Sequence, residues 1–337
     1  MLVRLTGGAA LGAMLSGCIA AAVPVAASSV IVKQRMDARR EARAAAATVV
    51  PSSSPVATVS APHPALAAAS AETRPGVPET MQYLYGSGEA AALSAQAYGA
   101  LTTYLTGRVA AAKRGGMRQA ILADGATLAD PYFDPCGKKP LAMVLDIDET
   151  VLLNLGYEGD AAKRGGSYDE PRWQRWEQSG ADRVAAVPGA IAALTAARKA
   201  GVAVIFNTNR SAANAERTEA ALNGAGLGPA KHGTTLWLKG DDGGGSGKDD
   251  RRWSIASGYC VVALVGDQLG DFSDLFNDPK LTTPARRALA VSPLIAPMWG
   301  DGWFMLPNPV YGSGLKGGFD DVFPNETRWS DPAEERK

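Results

Sequence analysis

Histidine is nearly absent from this chain: two residues in 337, His63 and His232. That excludes a histidine-rich metal cluster. A Ser-His-Asp hydrolase would have to rest on His232 alone, in the loop-like stretch "AKHGTT". Cysteine is also scarce. Cys18, Cys136 and Cys260 have no CxxC spacing, so no thiolate zinc site is encoded. The chain has no excess of either charge, with 34 basic and 34 acidic residues, and so lacks the overall positive field of a protein that binds nucleic-acid polymers. A single nucleotide stays open as a small ligand. Carboxylates must therefore do most of any acid, base or metal work.

The first eighteen residues, "MLVRLTGGAALGAMLSGC", place one basic residue, Arg4, before an apolar run rich in small side chains. This is the pattern of a secretory signal. Its end, "LSGC", resembles the bacterial lipobox, which implies cleavage after residue 17 and lipid attachment to Cys18. A second reading keeps the segment uncut. No charged side chain lies between Leu5 and Val32, a length able to cross a hydrocarbon layer of about 30 Å. Both readings expect a membrane tether. No Asp follows Cys18, which resembles the outer-membrane sorting pattern. The expectation is an outer-membrane lipoprotein facing the periplasm or the cell surface, with an inner-membrane helix as the alternative. Within residues 18–78, "PSSSPVATVSAPHPALAAAS" and "ETRPGVP" are rich in Pro and Ser and poor in large apolar side chains. They read as a low-complexity tether, because burial there cannot offset the cost of ordering.

The organised part is expected at 79–320, with a polar tail at 321–337. The stretch from Thr80 to Gly115 reads mostly as helix, with Leu93, Tyr98, Leu101 and Leu105 covering one side. Strand and helix then alternate. Strands are expected at 140–147, 202–207 and 261–266. "VPGAIAALTAARKAG" supplies a helix bounded by Pro188 and Gly201, and "SAANAERTEAALNGAG" supplies another. "LAMVLDID", "VAVIFNTN" and "VVALVGDQ" are continuous apolar runs that end in polar residues. Such strands belong in a parallel sheet covered on both faces. Sheets of this kind bind ligands outside the carboxyl ends of their strands. One crevice is thus expected to collect Asp146, Asp148, Thr208, Asn209, Asp267 and Asp271.

Two close carboxylates repel, which raises one pKa while the other group stays charged. The charged one can act as a nucleophile, and the protonated one can donate to a leaving group and later activate water. A hard cation would relieve the repulsion, and an oxygen-only donor set makes Mg²⁺ the natural choice. An anionic substrate also needs positive charge and donors. Thr208 offers a hydroxyl. Lys248, in "GSGKDDRRW", is the candidate cation, with Arg251 and Arg252 nearby.

These residues resemble the four motifs of the haloacid dehalogenase superfamily: "DIDET" the first, "FNTNR" the second, Lys248 the third and "GDQLGDF" the fourth. The chain is similar to the subclass IIIB acid phosphatases, and among them to the class C bacterial lipoproteins, the outer-membrane 5'-nucleotidase family. "AAALSAQAY", "WQRW" with "AVPGA", and "LPNPVYGSG" carry this closer likeness, from about Met81 to about Gly314. The likeness departs at "LLNLGYEG", where the family commonly has Asp-Asn-Ser-Pro-Tyr, and at Gln268, where it often has Asn.

The resemblance implies an α/β, haloacid dehalogenase-like doubly wound parallel sheet sandwich with a small cap, about 155–185, and an extra N-terminal helix. Asp146 would attack phosphorus to form an aspartyl phosphate. Asp148 would be the acid and then the base, and its backbone carbonyl would touch the metal. Thr208 and Lys248 would hold the phosphoryl group. Asp146, Asp148, Asp267 and Asp271 would form the Mg²⁺ set, Asp267 as a direct ligand and Asp271 as a second acidic contact through water or Lys248. Asn209, Arg210, Tyr157, Trp173, Asn308 and Tyr311 would contact substrate, with Tyr157, Trp173 or Tyr311 stacking on a base. Trp173 and Trp176, three apart, would share a helix face, whether as core or as a stacking surface. The expected activity is a phosphomonoesterase for nucleoside monophosphates and similar small esters. The alternatives are a broad sugar or aryl phosphatase and a non-catalytic binding protein on the same fold. The family leaves a homodimer open. It also makes the strands near Cys136 and Cys260 neighbours, so a disulfide or two separate buried thiols are the choices there.

Overall fold

The computed structural model describes residues 76–112, 114–165, 168–243 and 245–331. Cys18, the expected signal and most of the tether lie outside the described residues. Among those described, no helix is long and apolar enough to cross a membrane.

Five strands form one parallel sheet: β1 (Leu141–Leu145), β4 (Ala203–Ser211), β5 (Leu236–Lys239), β6 (Cys260–Gly266) and β7 (Trp303–Met305), in the order β5-β4-β1-β6-β7. A short antiparallel pair, β2 (Leu152–Leu153) and β3 (Ala185–Ala186), stands apart from it. The expected α/β architecture with a parallel sheet is present. The alternation of side chains along β1 explains why this strand reads as one apolar run. Met143 and Leu145 face a core containing Tyr98, Leu194 and Phe206, while Ala142 and Val144 face a second core containing Ile255, Phe272 and Trp303. A strand buried on both faces has no solvent side to mark with polar residues.

Among the described residues the helices of eight residues or more are α1 (Gly88–Ala112), α2 (Leu155–Arg164), α3 (Glu170–Ser179), α4 (Ala190–Lys199), α5 (Ala215–Gly224), α6 (Asp249–Gly258) and α7 (Thr283–Ala290). The stretch read as one leading helix is broken. A short helical segment, Glu79–Met81, runs into a wider turn at Gln82–Gly86, and the chain restarts after Ser87, whose hydroxyl accepts from Ala90 N at 3.1 Å. The buried stripe of α1 is Ala90, Ser94, Tyr98, Leu101 and Leu105. Leu93 was expected on that side and is instead 44% exposed. One residue turns a helix by about 100°, so Leu93 leaves the stripe that Ser94 occupies.

Strands β5 and β7 were not anticipated. Each is four residues or fewer, too short to display a period. Strand β4 runs to Ser211, beyond the expected end at 207, so "NTNR" belongs to the strand itself. Cys136 and Cys260 form a disulfide across 124 residues. It sits where β1 and β6 begin, since Leu141 is the register partner of Cys260.

Candidate active site

Parallel strands present their carboxyl ends at one edge. The polar residues after β1, along the end of β4 and after β6 therefore converge there. Asp146 follows Leu145 directly, and its backbone N–H donates to Val265 of β6 at 3.0 Å. Asp267 follows Gly266, and the turn Leu269–Asp271 brings Asp271 back over the strand end. The Asp271 carboxylate accepts from the N–H groups of Asp267 (3.1 Å) and Gln268 (2.9 Å). Only glycine fits at 266, because a Cβ there would lie 2.2 Å from Asp271 Cβ.

Lys248 joins these groups. Its Nζ donates to Asp146 Oδ1 at 2.5 Å and to Asp271 Oδ1 at 2.7 Å. It occupies the N-cap position of α6, where Asp274 supplies the cap by accepting from the N–H groups of Lys248 and Asp249 at 2.7 and 2.8 Å. Arg251 and Arg252, expected near the substrate, turn inward instead. Arg251 donates to Asn207 and Asn209 side chains, and Arg252 pairs with Asp249 and donates to the carbonyls of Gly270 and Asp271. They brace the elements that carry Lys248 and Asp271.

Asp146, Asp267 and Asp271 are buried and offer oxygens within 4.8 Å of one another. One ammonium cannot neutralise three carboxylates in such a space. Burial, then the charges of Asp271, Asp267 and Asp148, hold the Asp146 carboxyl well above its ordinary range against the opposing pull of Lys248. Burial and then Asp271 push Asp267 up to about 7. Burial alone would lower the Lys248 ammonium pKa, but Asp146 and Asp271 more than offset it and the net shift is upward. An all-oxygen cluster with surplus negative charge fits a hard divalent cation.

Asp148 lies half-buried at the mouth. Its Oδ1 accepts from Arg210 Nε (2.9 Å), Arg210 Nη2 (2.7 Å) and Asn154 Nδ2 (2.9 Å). Glu149, next in sequence, has a left-handed backbone with φ 55°, an unusual conformation for a residue with a side chain. Its buried carboxylate accepts from Tyr85, Tyr311 and both the backbone and side-chain nitrogens of Asn154. Burial and then the Asp148 charge raise it to about 8. Thr150 Oγ1 donates to Asp267 Oδ1 at 2.9 Å, and Asn308 Nδ2 and Gln268 Nε2 donate to Asp267 Oδ2 at 2.8 and 3.0 Å.

Two clefts meet at this point. The larger, about 760 Å³, runs from Asp146, Asp148, Lys248, Asp267 and Asp271 toward Arg286 and Lys316. The smaller, about 260 Å³, is lined by Tyr157, Tyr168, Trp173 and Tyr311 among others, and shares Asp148, Asn209 and Tyr311 with the first. Tyr157 and Trp173 meet edge to face at 4.9 Å, and Trp173 packs on Trp176 at 4.8 Å. The Tyr157 hydroxyl is buried without a partner among the described residues.

Most of the expected site residues therefore gather at one sheet edge. Thr208 and Arg210 are buried behind it and line neither cleft, while Asn209, between them, is exposed into both. Asn308 reaches the site through Asp267. Glu149, Thr150, Asn154, Asp249, Asp274 and Glu177 also support this edge and lie outside the expected set. Glu149 and Thr150 stood within the quoted "DIDET". For the others no local signal distinguishes them from surface polar residues. His232 Nε2 lies 2.8 Å from Asp241 Oδ1, a pairing outside this cluster.

A parallel sheet with flanking helices, collecting buried carboxylates and one lysine at its carboxyl edge, is the arrangement that the resemblance to the haloacid dehalogenase superfamily implies. The particular branch follows from comparison. Residues 81–314 match the HAD superfamily, subfamily IIIB (acid phosphatase), and the chain belongs to that family. It is accordingly a phosphoric monoester hydrolase. Solved structures of similar fold include the class C acid phosphatase from Bacillus anthracis with tungstate bound, at 23% identity and a TM-score of 0.56, covering 77% of this chain and 92% of that one. A second structure of the class C acid phosphatase from Bacillus anthracis matches at 24% identity and a TM-score of 0.56, covering 70% of this chain and 85% of that one.

Proposed function

We propose that this chain is a Mg²⁺-dependent phosphomonoesterase for nucleoside monophosphates and similar small esters, working through an aspartyl phosphate. The observation that carries the reading is the buried set of Asp146, Asp267 and Asp271 around Lys248, open to a cleft that also reaches an aromatic pocket. Asp146 attacks the phosphorus, forming the P–O bond as the ester P–O bond breaks. Asp148 gives its proton to the departing alkoxide. It then takes a proton from the water that hydrolyses the aspartyl phosphate, which releases Asp146. Lys248 holds the equatorial oxygens, where charge develops, while Thr208, which lines neither cleft, stands behind the edge with its hydroxyl accepting from Arg210 N at 3.2 Å. Mg²⁺, held by Asp146, Asp267, Asp271 and the backbone carbonyl of Asp148, would supply neutralisation of the phosphoryl charge.

The aromatic pocket supports the substrate class. Trp173 and Tyr311 offer rings for a base, stacking that tolerates many bases, while Tyr157, 5% exposed with the Arg172 guanidinium 4.1 Å over its ring, supports Trp173 edge to face. Asn209 is exposed where the two clefts join and is suited to the sugar–phosphate junction. Helices α2 and α3 with the β2–β3 pair serve as the cap. Residues 1–17 serve as signal and Cys18 as the lipid anchor of an outer-membrane lipoprotein, with 18–78 as the tether; mass spectrometry of the mature N-terminus tests this.

The enzymatic test is phosphate release from the protein lacking its first 32 residues. The panel is nucleoside 5'- and 3'-monophosphates, sugar phosphates and an aryl phosphate, each with Mg²⁺ and with chelator. Metal-dependent release led by the nucleotides is expected. Release that ignores the chelator, or a panel led by sugar phosphates, would overturn the metal or the substrate assignment respectively.

A further inference from the structure

We infer that Arg210 is a positioning residue that pins one oxygen of Asp148, so that the other, Oδ2, is the atom that carries the catalytic proton. The inference rests on the acid–base reading of Asp148 above. Among the described residues, the three donors within hydrogen-bonding distance of the Asp148 carboxylate, Arg210 Nε, Arg210 Nη2 and Asn154 Nδ2, converge on Oδ1. An oxygen that accepts three hydrogen bonds has no lone pair left for a proton. Asp148 lines both clefts, and among the described residues no donor reaches its Oδ2. The proton therefore leaves from Oδ2 as the ester P–O bond breaks, and Oδ2 collects the water proton in the second half of the reaction.

The surroundings of Arg210 are built to hold it still. It is 1% exposed. Its guanidinium lies 5.1 Å from the Trp176 ring and 6.0 Å from the Trp173 ring, and Nη2 also donates to Asn154 Oδ1 at 2.9 Å. Glu177, on the same helix as the tryptophans, accepts from Trp173 Nε1 at 2.6 Å and Asn214 Nδ2 at 2.7 Å. The aromatic wall of the smaller cleft is thereby connected to the Asp148 carboxylate through one side chain. Arg210 Nη1 is buried with no partner among the described residues. A buried cation with an unmet donor costs stability that an apolar side chain of similar size would spare. A positioning role accounts for its presence.

The test compares Arg210→Met with the wild type on two esters of different leaving group. For a nucleoside 5'-monophosphate, whose alkoxide needs the proton, kcat/KM is expected to fall about 100-fold, within the span general acids contribute. For 4-nitrophenyl phosphate, whose phenolate leaves unaided, the expected fall in kcat/KM is less than about 5-fold. Arg210→Lys should recover part of the nucleotide activity. Equal falls on both esters would assign Arg210 to phosphoryl binding or to folding and overturn the inference. If Arg210→Met does not fold, Asn154→Ala removes the third donor and should give the same unequal pattern, at about 10-fold against no change. A crystal structure of the variant reads the geometry without turnover: a rotated Asp148 carboxylate is expected, and one left in place defeats the inference. If the wild type releases phosphate from neither ester, the functional reading fails, and the crystal structure alone decides the role of Arg210.

Discussion

The two ends of β1 and β6 follow opposite rules. At their amino ends, Cys136 and Cys260 are joined covalently and buried among apolar side chains. At their carboxyl ends, Asp146, Asp267, Asp271 and Lys248 are buried together, beside a left-handed Glu149. The first end restricts the unfolded chain by closing a long loop. The second concentrates like charge, which opposes folding until a cation or a proton arrives. A stability reserve at the inert end allows repulsion to be kept at the reactive one.

The largest effect is expected where the charge is most concentrated. Asp146→Asn should lower phosphate release at least about a thousandfold, as loss of a nucleophile does. The thermal midpoint of the metal-free protein should not fall, because one repelling carboxylate is gone. A marked loss of stability would mean that the Lys248–Asp146 pair supports the fold and would erase the contrast between the ends.

The double substitution Cys136→Ser with Cys260→Ser attacks the other end. It should cost about 2–5 kcal/mol in denaturant unfolding while leaving kcat per folded molecule unchanged. A drop in kcat would show that the clamp reaches the active site.

A third measurement concerns pH. In chelator, Asp267 holds its proton to about 7 in the folded state against 3.8 ordinarily. A carboxyl raised in this way contributes stability that is full below the lower value and is lost as pH rises through the higher one. The thermal midpoint should therefore decline between about pH 4 and pH 7, and Asp267→Asn should flatten that decline. Saturating Mg²⁺ should oppose it, because a cation bound only by the folded state stabilises it. A midpoint that climbs over this range and ignores the Asp267 substitution would remove the stored repulsion from the account.

The smallest effect belongs to the aromatic cleft. Trp173→Ala should raise KM for nucleoside monophosphates about tenfold, the order of one lost stacking contact, and leave glycerol phosphate unaffected. A similar rise for both would move the base away from Trp173.

Much of this site was legible in the chain. "LAMVLDID" and "VVALVGDQ" are apolar because both faces of their strands are covered, and that continuity located the edge where Asp146 and Asp267 emerge. Strands β5 and β7 escaped notice because three or four residues carry no period, and their pairing partners are distant in sequence. Leu93 was misplaced because a stripe of small residues, Ala90 and Ser94, faces the core in its stead. Ala and Ser there permit close approach, a property that hydrophobicity does not register. Glu149 is one of the three acids in "DIDET", and only its backbone conformation and four donors distinguish it.

By itself the sequence determined the sheet, the edge and the residue types gathered there, since burial on two faces and the direction of parallel strands follow from local pattern. Tertiary structure decided what each charge answers to. Arg210, Arg251 and Arg252 carry the same charge and are all expected near the substrate, yet one grips Asp148 and the other two brace the loop and helix around Lys248. That assignment depends on partners up to 62 residues away. A buried charge is governed by the few groups within hydrogen-bonding reach, and chain order does not reveal which those are.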